Sequence, residues 1–148
     1  SFAALPAQSS LTNGVNTYSV VFKTSGNQTL TVADTLNLSI RGTSNAVTVL
    51  PAAATHLIVV APSTAAQSTY FNFTVTAEDQ YDNVATLYAG TVLFTSTSGG
   101  SIPPGGMLTN GTFTFTAGLS SLGNQTITGT DSVTSSLKGT SNSIDIVP

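Results

Sequence analysis

The sequence has few charged residues and no cysteine. Of its 148 residues, 6% are charged, with 3 Lys and Arg against 6 Asp and Glu, whereas a typical soluble domain carries about 25%. So few cations exclude electrostatic binding to nucleic acid, which needs Lys and Arg clustered against phosphates. The absence of Cys excludes disulfide bonds, thiolate metal ligands and thiol nucleophiles.

Long hydrophobic runs and the residues of common catalytic sites are also scarce. The longest strongly apolar run covers residues 57–61, far short of the roughly 20 residues that span a bilayer, so we expect no membrane insertion. His56 is the only His, and the chain has no G-x-S-x-G motif that would present a nucleophilic Ser. Six acidic residues are a poor basis for a paired-carboxylate hydrolase. We therefore expect that the protein is not an enzyme.

Thr and Ser dominate what is present, with 26 and 19 residues. The hydrophobic content of 40% is enough for a core, which disfavours intrinsic disorder. Apolar and polar residues alternate with period two at residues 71–77, 113–115 and 143–146, as they do in half-buried strands. Turn sequences separate these runs, and the helix formers Glu, Lys and Arg are almost absent. The sequence predicts an all-β fold of the β-sandwich type.

The chain contains an internal repeat with a period of 97 residues. Residues 26–51, GNQTLTVADTLNLSIRGTSNAVTVLP, align without gaps with residues 123–148, GNQTITGTDSVTSSLKGTSNSIDIVP. Residues 1–51 and 98–148 are identical at 19 of 51 positions. The repeat predicts two domains: residues 1–51 as the C-terminal half of one repeat and residues 52–148 as a complete repeat of about seven strands. In the half repeat we expect strands at residues 17–23, 28–33 and 46–50.

Half a β-sandwich exposes one apolar face and open strand edges, and such an object is unstable in water. In residues 1–51 this surface, here named the assembly face, has five members: Tyr18, Val20, Phe22, Leu30 and Val47. Two explanations remain open. The chain is a fragment of a longer tandem array whose neighbouring sequence covers the face, or strands of another copy complete it by strand addition.

Two segments of the complete repeat carry a distinctive pattern: residues 55–99, which include TAEDQYDNVATLYAGTVLFTS, and residues 108–132, LTNGTFTFTAGLSSLGNQTITGTDS. They resemble bacterial immunoglobulin-like repeats of the invasin/intimin group, which occur in long surface and secreted proteins. The matching positions are Thr76, Ala77, Asp79, Tyr81, Asn83, Tyr88, Gly90, Val92, Phe94, Gly111, Phe115, Gly123, Thr126 and Asp131. Asp82 stands where the family pattern usually has Gly, and Asp also tolerates the turn. The resemblance implies immunoglobulin-like β-sandwiches in tandem.

The resemblance also implies an extracellular or cell-surface location and a structural role in a filament, stalk or surface layer. A weakly charged surface suits assembly, since copies repel each other little, so we expect other copies of the chain as partners. The alternative is an adhesin or a carbohydrate-binding accessory module of a secreted protein, with glycans as partners. That module would need an exposed aromatic platform. The chain has no Trp, and Tyr81 and Tyr88 are the candidates.

Two sets of polar residues are candidate sites. Glu78, Asp79 and Asp82 form the one acidic cluster; such loop oxygens suit Ca²⁺, but the spacing is not that of an EF-hand. A turn in which Asp binds backbone N–H groups is the favoured interpretation, so we expect no cofactor. Five N-x-[ST] sequons, against about three expected by chance, predict glycosylation: Asn27, Asn37, Asn72, Asn110 and Asn124.

Overall fold

The computed structural model describes residues 3–148, and within this range the chain forms strands, turns and loops without a helix. The predicted all-β fold is confirmed. The chain divides into two compact units, Ser1–Pro51 and Ala52–Pro148, here named the first and the second unit. Over the described range, no helix is long and apolar enough to cross a membrane.

The first unit contains four short strands in two separate pairs. They are β1 (Gly26–Gln28), β2 (Thr31–Ala33), β3 (Arg41–Thr43) and β4 (Val47–Val49). β1 pairs antiparallel with β4, and β2 pairs antiparallel with β3. Isolated bridges join Ala4 to Val21 and Thr12 to Val15. None of the described residues of this unit is buried, so these strands have no core of their own.

The second unit is built from eleven strand segments. They are β5 (His56–Val60), β6 (Thr64–Ala66), β7 (Phe71–Glu78), β8 (Thr91–Ser96), β9 (Gly100–Ser101), β10 (Gly105–Met107), β11 (Thr112–Leu119), β12 (Gly123–Gln125), β13 (Ile127–Asp131), β14 (Lys138–Thr140) and β15 (Ile144–Val147). Four strands are each broken in two, namely β5/β6, β9/β10, β12/β13 and β14/β15. The segments therefore occupy seven strand positions, in agreement with the sequence prediction.

These segments form a two-layer sandwich. One sheet has the order β10-β8-β13-β14 and the other the order β5-β7-β11-β9, with all neighbours antiparallel. A smaller sheet, β12-β15-β6, contains the parallel pair of β15 and β6. Strands that break and change sheet tie the layers together at their edges.

The core of the second unit lies between its two main sheets. Because side chains alternate across a strand, β7 turns Phe73, Val75 and Ala77 inward, and all three are at most 1% exposed. Phe94 from the opposite sheet meets Phe73 edge-to-face, with ring centroids 5.2 Å apart and planes at 88°. Phe115 lies 4.7 Å from Phe94. Such aromatic pairs add about 0.5–1.5 kcal/mol beyond area burial, so this trio anchors the sandwich.

The repeat in the sequence reappears in the strand register. In the first unit Gly26 lies opposite Val49, and 97 residues later Gly123 lies opposite Ile146. The register of β2 with β3 is likewise reproduced by that of β13 with β14. The first unit therefore has the backbone pairing of the second half of a sandwich.

One predicted strand of the first unit does not form. The sequence predicts a strand over residues 17–23, but the structure has there the single bridge of Val21. The equivalent residues of the second unit form β11, which is paired with β7 over residues 112–117. No counterpart of β7 exists among the described residues of the first unit, so residues 17–23 lack the neighbour that would hold them in a sheet. The predicted strand 28–33 is split into β1 and β2 because its two parts pair with different partners.

Candidate functional site

The structure leaves the assembly face accessible on the first unit. Tyr18, Val20, Phe22 and Leu30 are half-buried and Val47 is exposed. Phe22 and Leu30 come together with Leu5 and Gln28 along a shallow groove of about 430 Å³. Tyr18, Val20 and Val47 do not line this groove. Solvent thus reaches the apolar residues that the sequence assigns to an interior.

The second unit shows what these positions do when a sandwich is complete. The residues 97 positions later are each at most 8% exposed: Phe115, Ala117, Leu119, Ile127 and Ile144. They belong to the same core cluster as the buried residues of β5, β7 and β8. Burying a large apolar side chain contributes about 1.5–3 kcal/mol, and the first unit forgoes most of this contribution.

The acidic loop of the second unit is organised around Asp79. Its carboxylate is fully buried and accepts hydrogen bonds from the backbone N–H groups of Ala52, Tyr81 and Asn83 and from the Asn83 side chain, at 2.8–3.1 Å. Burial pushes the pKa of Asp79 upward, but these hydrogen bonds outweigh it and lower the pKa from 3.8 to about 2. Asp79 therefore holds the turn and the start of the second unit in place.

The other two acidic residues lie away from Asp79, beside His56. Glu78 on β7 lies directly opposite His56 on β5. The Glu78 Oε2 lies 3.5 Å from the His56 Nε2. Asp82, held at a left-handed φ of 62°, places its Oδ1 4.0 Å from the same nitrogen. The structure thus separates the predicted trio and brings His56 to two of its members. Sequence reasoning missed this grouping, because it depends on which residue of β5 lies opposite Glu78.

A second buried carboxylate, Asp131 at the end of β13, is bonded to Tyr88 in the loop before β8. Its Oδ2 accepts the hydroxyl of Tyr88, and its Oδ1 accepts the backbone N–H groups of Val133 and Thr134. Burial and the carboxylate raise the pKa of Tyr88 well above its usual range. Burial raises the pKa of Asp131, but the Tyr88 hydroxyl and the backbone N–H groups lower it by more. Gly90 is required here, since a Cβ at this position would lie 2.5 Å from the Tyr88 hydroxyl oxygen.

This geometry bears on the aromatic platform of the carbohydrate-binding alternative. Tyr88 packs against the hydrophobic core and donates its hydroxyl to Asp131, and Tyr81 is half-buried. A stacking platform needs freely exposed rings, which this loop does not present. The pairing of Tyr88 with Asp131, 43 residues apart, gave no signal in the sequence beyond the family pattern.

The five sequon asparagines lie on the surface. All are exposed: Asn27, Asn37, Asn72, Asn110 and Asn124. Asn27 and Asn124 occupy equivalent positions on β1 and β12. Their exposure makes them accessible, and their glycosylation stays a prediction.

Comparisons with known proteins identify the fold. No protein-family model matches the chain, and no curated protein matches it. Among solved structures, the D00-D0 domain of intimin aligns with 99% of this chain and 78% of its own, at 15% identity and a TM-score of 0.56. The chain has the immunoglobulin-like fold of this intimin structure. The predicted resemblance to the invasin/intimin group is thus confirmed for the fold.

Two further solved structures match at lower TM-scores. The D0-D1 domain of intimin covers 100% of this chain and 77% of its own, at 19% identity and a TM-score of 0.49. Domains 4 and 5 of the S-layer protein SbsC cover 73% of this chain and 59% of their own, at 19% identity and a TM-score of 0.42.

Proposed function

We propose that the protein is a structural segment of an extracellular filament, stalk or surface layer built from immunoglobulin-like repeats. The observation that carries the proposal is the order of the two units along the chain. Half of one sandwich, residues 1–51, is followed by a complete sandwich, residues 52–148, and the equivalent strands pair in the same register in both. Repeat proteins bury their surfaces against neighbours, and an open half requires such a neighbour. In this proposal, the half sandwich of residues 1–51 is completed by neighbouring sequence or by another copy.

The titratable groups support a structural role. Shifted pKa values mark functional groups when those groups are free to react. Asp79, Tyr88 and Asp131 have shifted pKa values, but each is occupied by hydrogen bonds that hold a turn or join a loop to the end of β13. No arrangement of a nucleophile, a base and an orienting acid occurs among them. The weakly charged, Thr-rich surface and the five exposed sequon asparagines fit a location outside the cell.

Immunogold electron microscopy on cells that naturally produce the protein tests this proposal. We expect gold label on intact cells, along filaments or over a surface layer, and loss of the label after protease treatment of those cells. Lysed cells provide the control for total protein. Label that appears after lysis alone would place the protein inside the cell and contradict the proposal.

A further inference from the structure

Three side chains of the second unit bring a nitrogen and two carboxylate oxygens together. They are His56, Glu78 and Asp82, and one ligand atom of each lies within 4.8 Å of the other two. The group differs from an acidic cluster, because an imidazole nitrogen takes part in it. Among residues 3–148, the ion pairs of the two carboxylates are those with His56, and no Lys or Arg neutralises either one.

The backbone presents these three residues in fixed positions. His56 on β5 and Glu78 on β7 are cross-strand partners, and the Cβ atoms of such partners lie about 4.5–5.5 Å apart. Asp82 reaches them from the turn that follows β7, where its N–H donates to the Asp79 carbonyl oxygen at 3.1 Å. The buried Asp79 carboxylate holds this turn through the N–H group and the side chain of Asn83.

The hydrogen bonds around His56 assign its tautomer. The Thr55 hydroxyl lies 3.1 Å from His56 Nδ1 and donates to the Glu78 backbone oxygen at 3.4 Å. Since a hydroxyl has a single hydrogen, Thr55 must accept from Nδ1, which therefore carries the imidazole proton. The Nε2 of a neutral His56 then presents a lone pair to the two carboxylate oxygens.

Three electron-pair donors that face each other repel, so this arrangement favours a cation between them. A proton on Nε2 fits poorly, because a good N–H···O bond spans about 2.7–3.2 Å, whereas Nε2 lies 3.5 Å from Glu78 Oε2 and 4.0 Å from Asp82 Oδ1. A tetrahedral Zn²⁺ ion with usual bonds to nitrogen and oxygen separates its ligand atoms by about 3.3–3.5 Å. The first distance matches this separation, and a small rotation of the exposed Asp82 side chain brings the second to it.

We propose that His56 Nε2, Glu78 Oε2 and Asp82 Oδ1 form a binding site for a divalent transition-metal ion of the Zn²⁺ type. Water takes the fourth tetrahedral position, because the Asp82 side chain is 80% exposed and leaves the site open to solvent. Ca²⁺ fits poorly, since it takes about 6–8 oxygen ligands. Thr55 is a positioning residue, because it holds the ligating imidazole through its other nitrogen.

A bound ion fastens the start of β5 to the end of β7 and to the turn beyond it. Because the ion binds the folded chain and not the unfolded one, it raises the Tm of the second unit. The inference goes beyond the proposed function and does not rest on it, since it concerns three side chains of one unit wherever the cell places the protein.

Calorimetric titration of Zn²⁺ into the full, tag-free chain tests the inference. We expect one Zn²⁺ per chain and a Tm that rises with the Zn²⁺ concentration. His56→Ala, Glu78→Gln and Asp82→Asn should each weaken the affinity by more than the roughly 10–100-fold that loss of an outer partner costs. Asp82 is exposed, so Asp82→Asn keeps the test valid if another variant unfolds. The matched control is Asp145→Asn, which removes an exposed carboxylate of β15 and should bind Zn²⁺ as the natural chain does.

Two further measurements report the ligands themselves. Co²⁺ in place of Zn²⁺ should give the intense visible absorption of a tetrahedral ion, and NMR of the His56 ring should show the metal on Nε2 and the proton on Nδ1. Thr55→Val removes the hydroxyl at similar volume. It should lower the Zn²⁺ affinity about 10–100-fold and change the stability of the metal-free chain by less than about 0.5 kcal/mol.

Four outcomes overturn the inference. Absence of binding at millimolar Zn²⁺ means that a proton on His56 suffices for the group. Binding that persists in His56→Ala lies elsewhere on the chain. Binding of Ca²⁺ as tight as that of Zn²⁺ means that the carboxylates act without the imidazole. Several Zn²⁺ ions per chain, with no loss in Asp82→Asn, mean an adventitious ion only.

Discussion

The equivalent residues Leu30 and Ile127 offer a direct test of the difference between the two units. Ile127 is 0% exposed and lies in the core cluster with Phe73 and Phe94, so Ile127→Ala removes buried atoms and leaves a cavity. Such substitutions cost about 2–5 kcal/mol, and we take ~3 kcal/mol. Leu30 is half-buried beside an open groove, where truncation creates no enclosed cavity. We expect Leu30→Ala to cost less than ~1 kcal/mol.

Thermal unfolding of the two variants and the parent chain measures this difference. A loss of ~3 kcal/mol lowers the Tm of a domain of this size by roughly 12–24 °C, so Ile127→Ala should shift the main transition by that amount. Leu30→Ala should leave the main transition in place. The chain must be a monomer, which sedimentation at the same concentration verifies. Equal losses for the two variants would refute the reasoning, because Leu30 would then have to be buried in solution.

Three other predictions concern the second unit. Since the folded-state pKa of Asp79 is lowered to about 2 from 3.8, its contribution to stability is present above about pH 4 and lost as pH falls toward 2, which urea titrations across this range should show. Asp79→Ala should cost about 2–4 kcal/mol, because it leaves N–H groups unpaired, and should remove this dependence of the free energy of unfolding on pH. Tyr88→Phe removes a hydrogen bond to a charged acceptor and should cost about 1.5–3 kcal/mol, whereas Tyr70→Phe, at an exposed ring, should cost almost nothing in the same titration. Millimolar Ca²⁺ should leave the Tm unchanged relative to a chelator, because Asp79 is already saturated with hydrogen bonds and Glu78 lies beside His56; a rise in Tm that Asp82→Asn abolishes would instead reveal a calcium site.

Much of the fold was predictable because the relevant signals are local or repeated. Alternation at residues 71–77 marks β7, and a strand with one buried face requires that period. The 97-residue repeat located the second half of a sandwich without any structure. The strand expected at residues 17–23 does not form, because its formation depends on a partner strand and not on the local sequence alone. Its alternation is present, but a strand also needs a neighbour to pair with, and among residues 3–51 this segment makes only the single bridge of Val21 with Ala4.

The candidate sites were less predictable, because they depend on cross-strand register. Glu78, Asp79 and Asp82 are close in sequence, yet successive residues of a strand point to opposite sides. Asp79 therefore turns into the loop while Glu78 turns toward His56. The partnership of Tyr88 with Asp131 joins a loop to the end of β13. No spacing rule connects residues so far apart until the strands are paired.

The sequence by itself determined the strand-rich composition, the period of the repeat and which apolar residues occupy equivalent positions in its two copies, since all three are patterns along the chain. Only the tertiary structure decided which of the equivalent apolar residues are buried, why Gly90 must be glycine and which donors saturate Asp79. Burial, close approach and hydrogen bonding are relations between strands. The same sequence pattern has a core at residues 98–148 and an open face at residues 1–51, because the covering strands are present in one unit and absent from the described residues of the other.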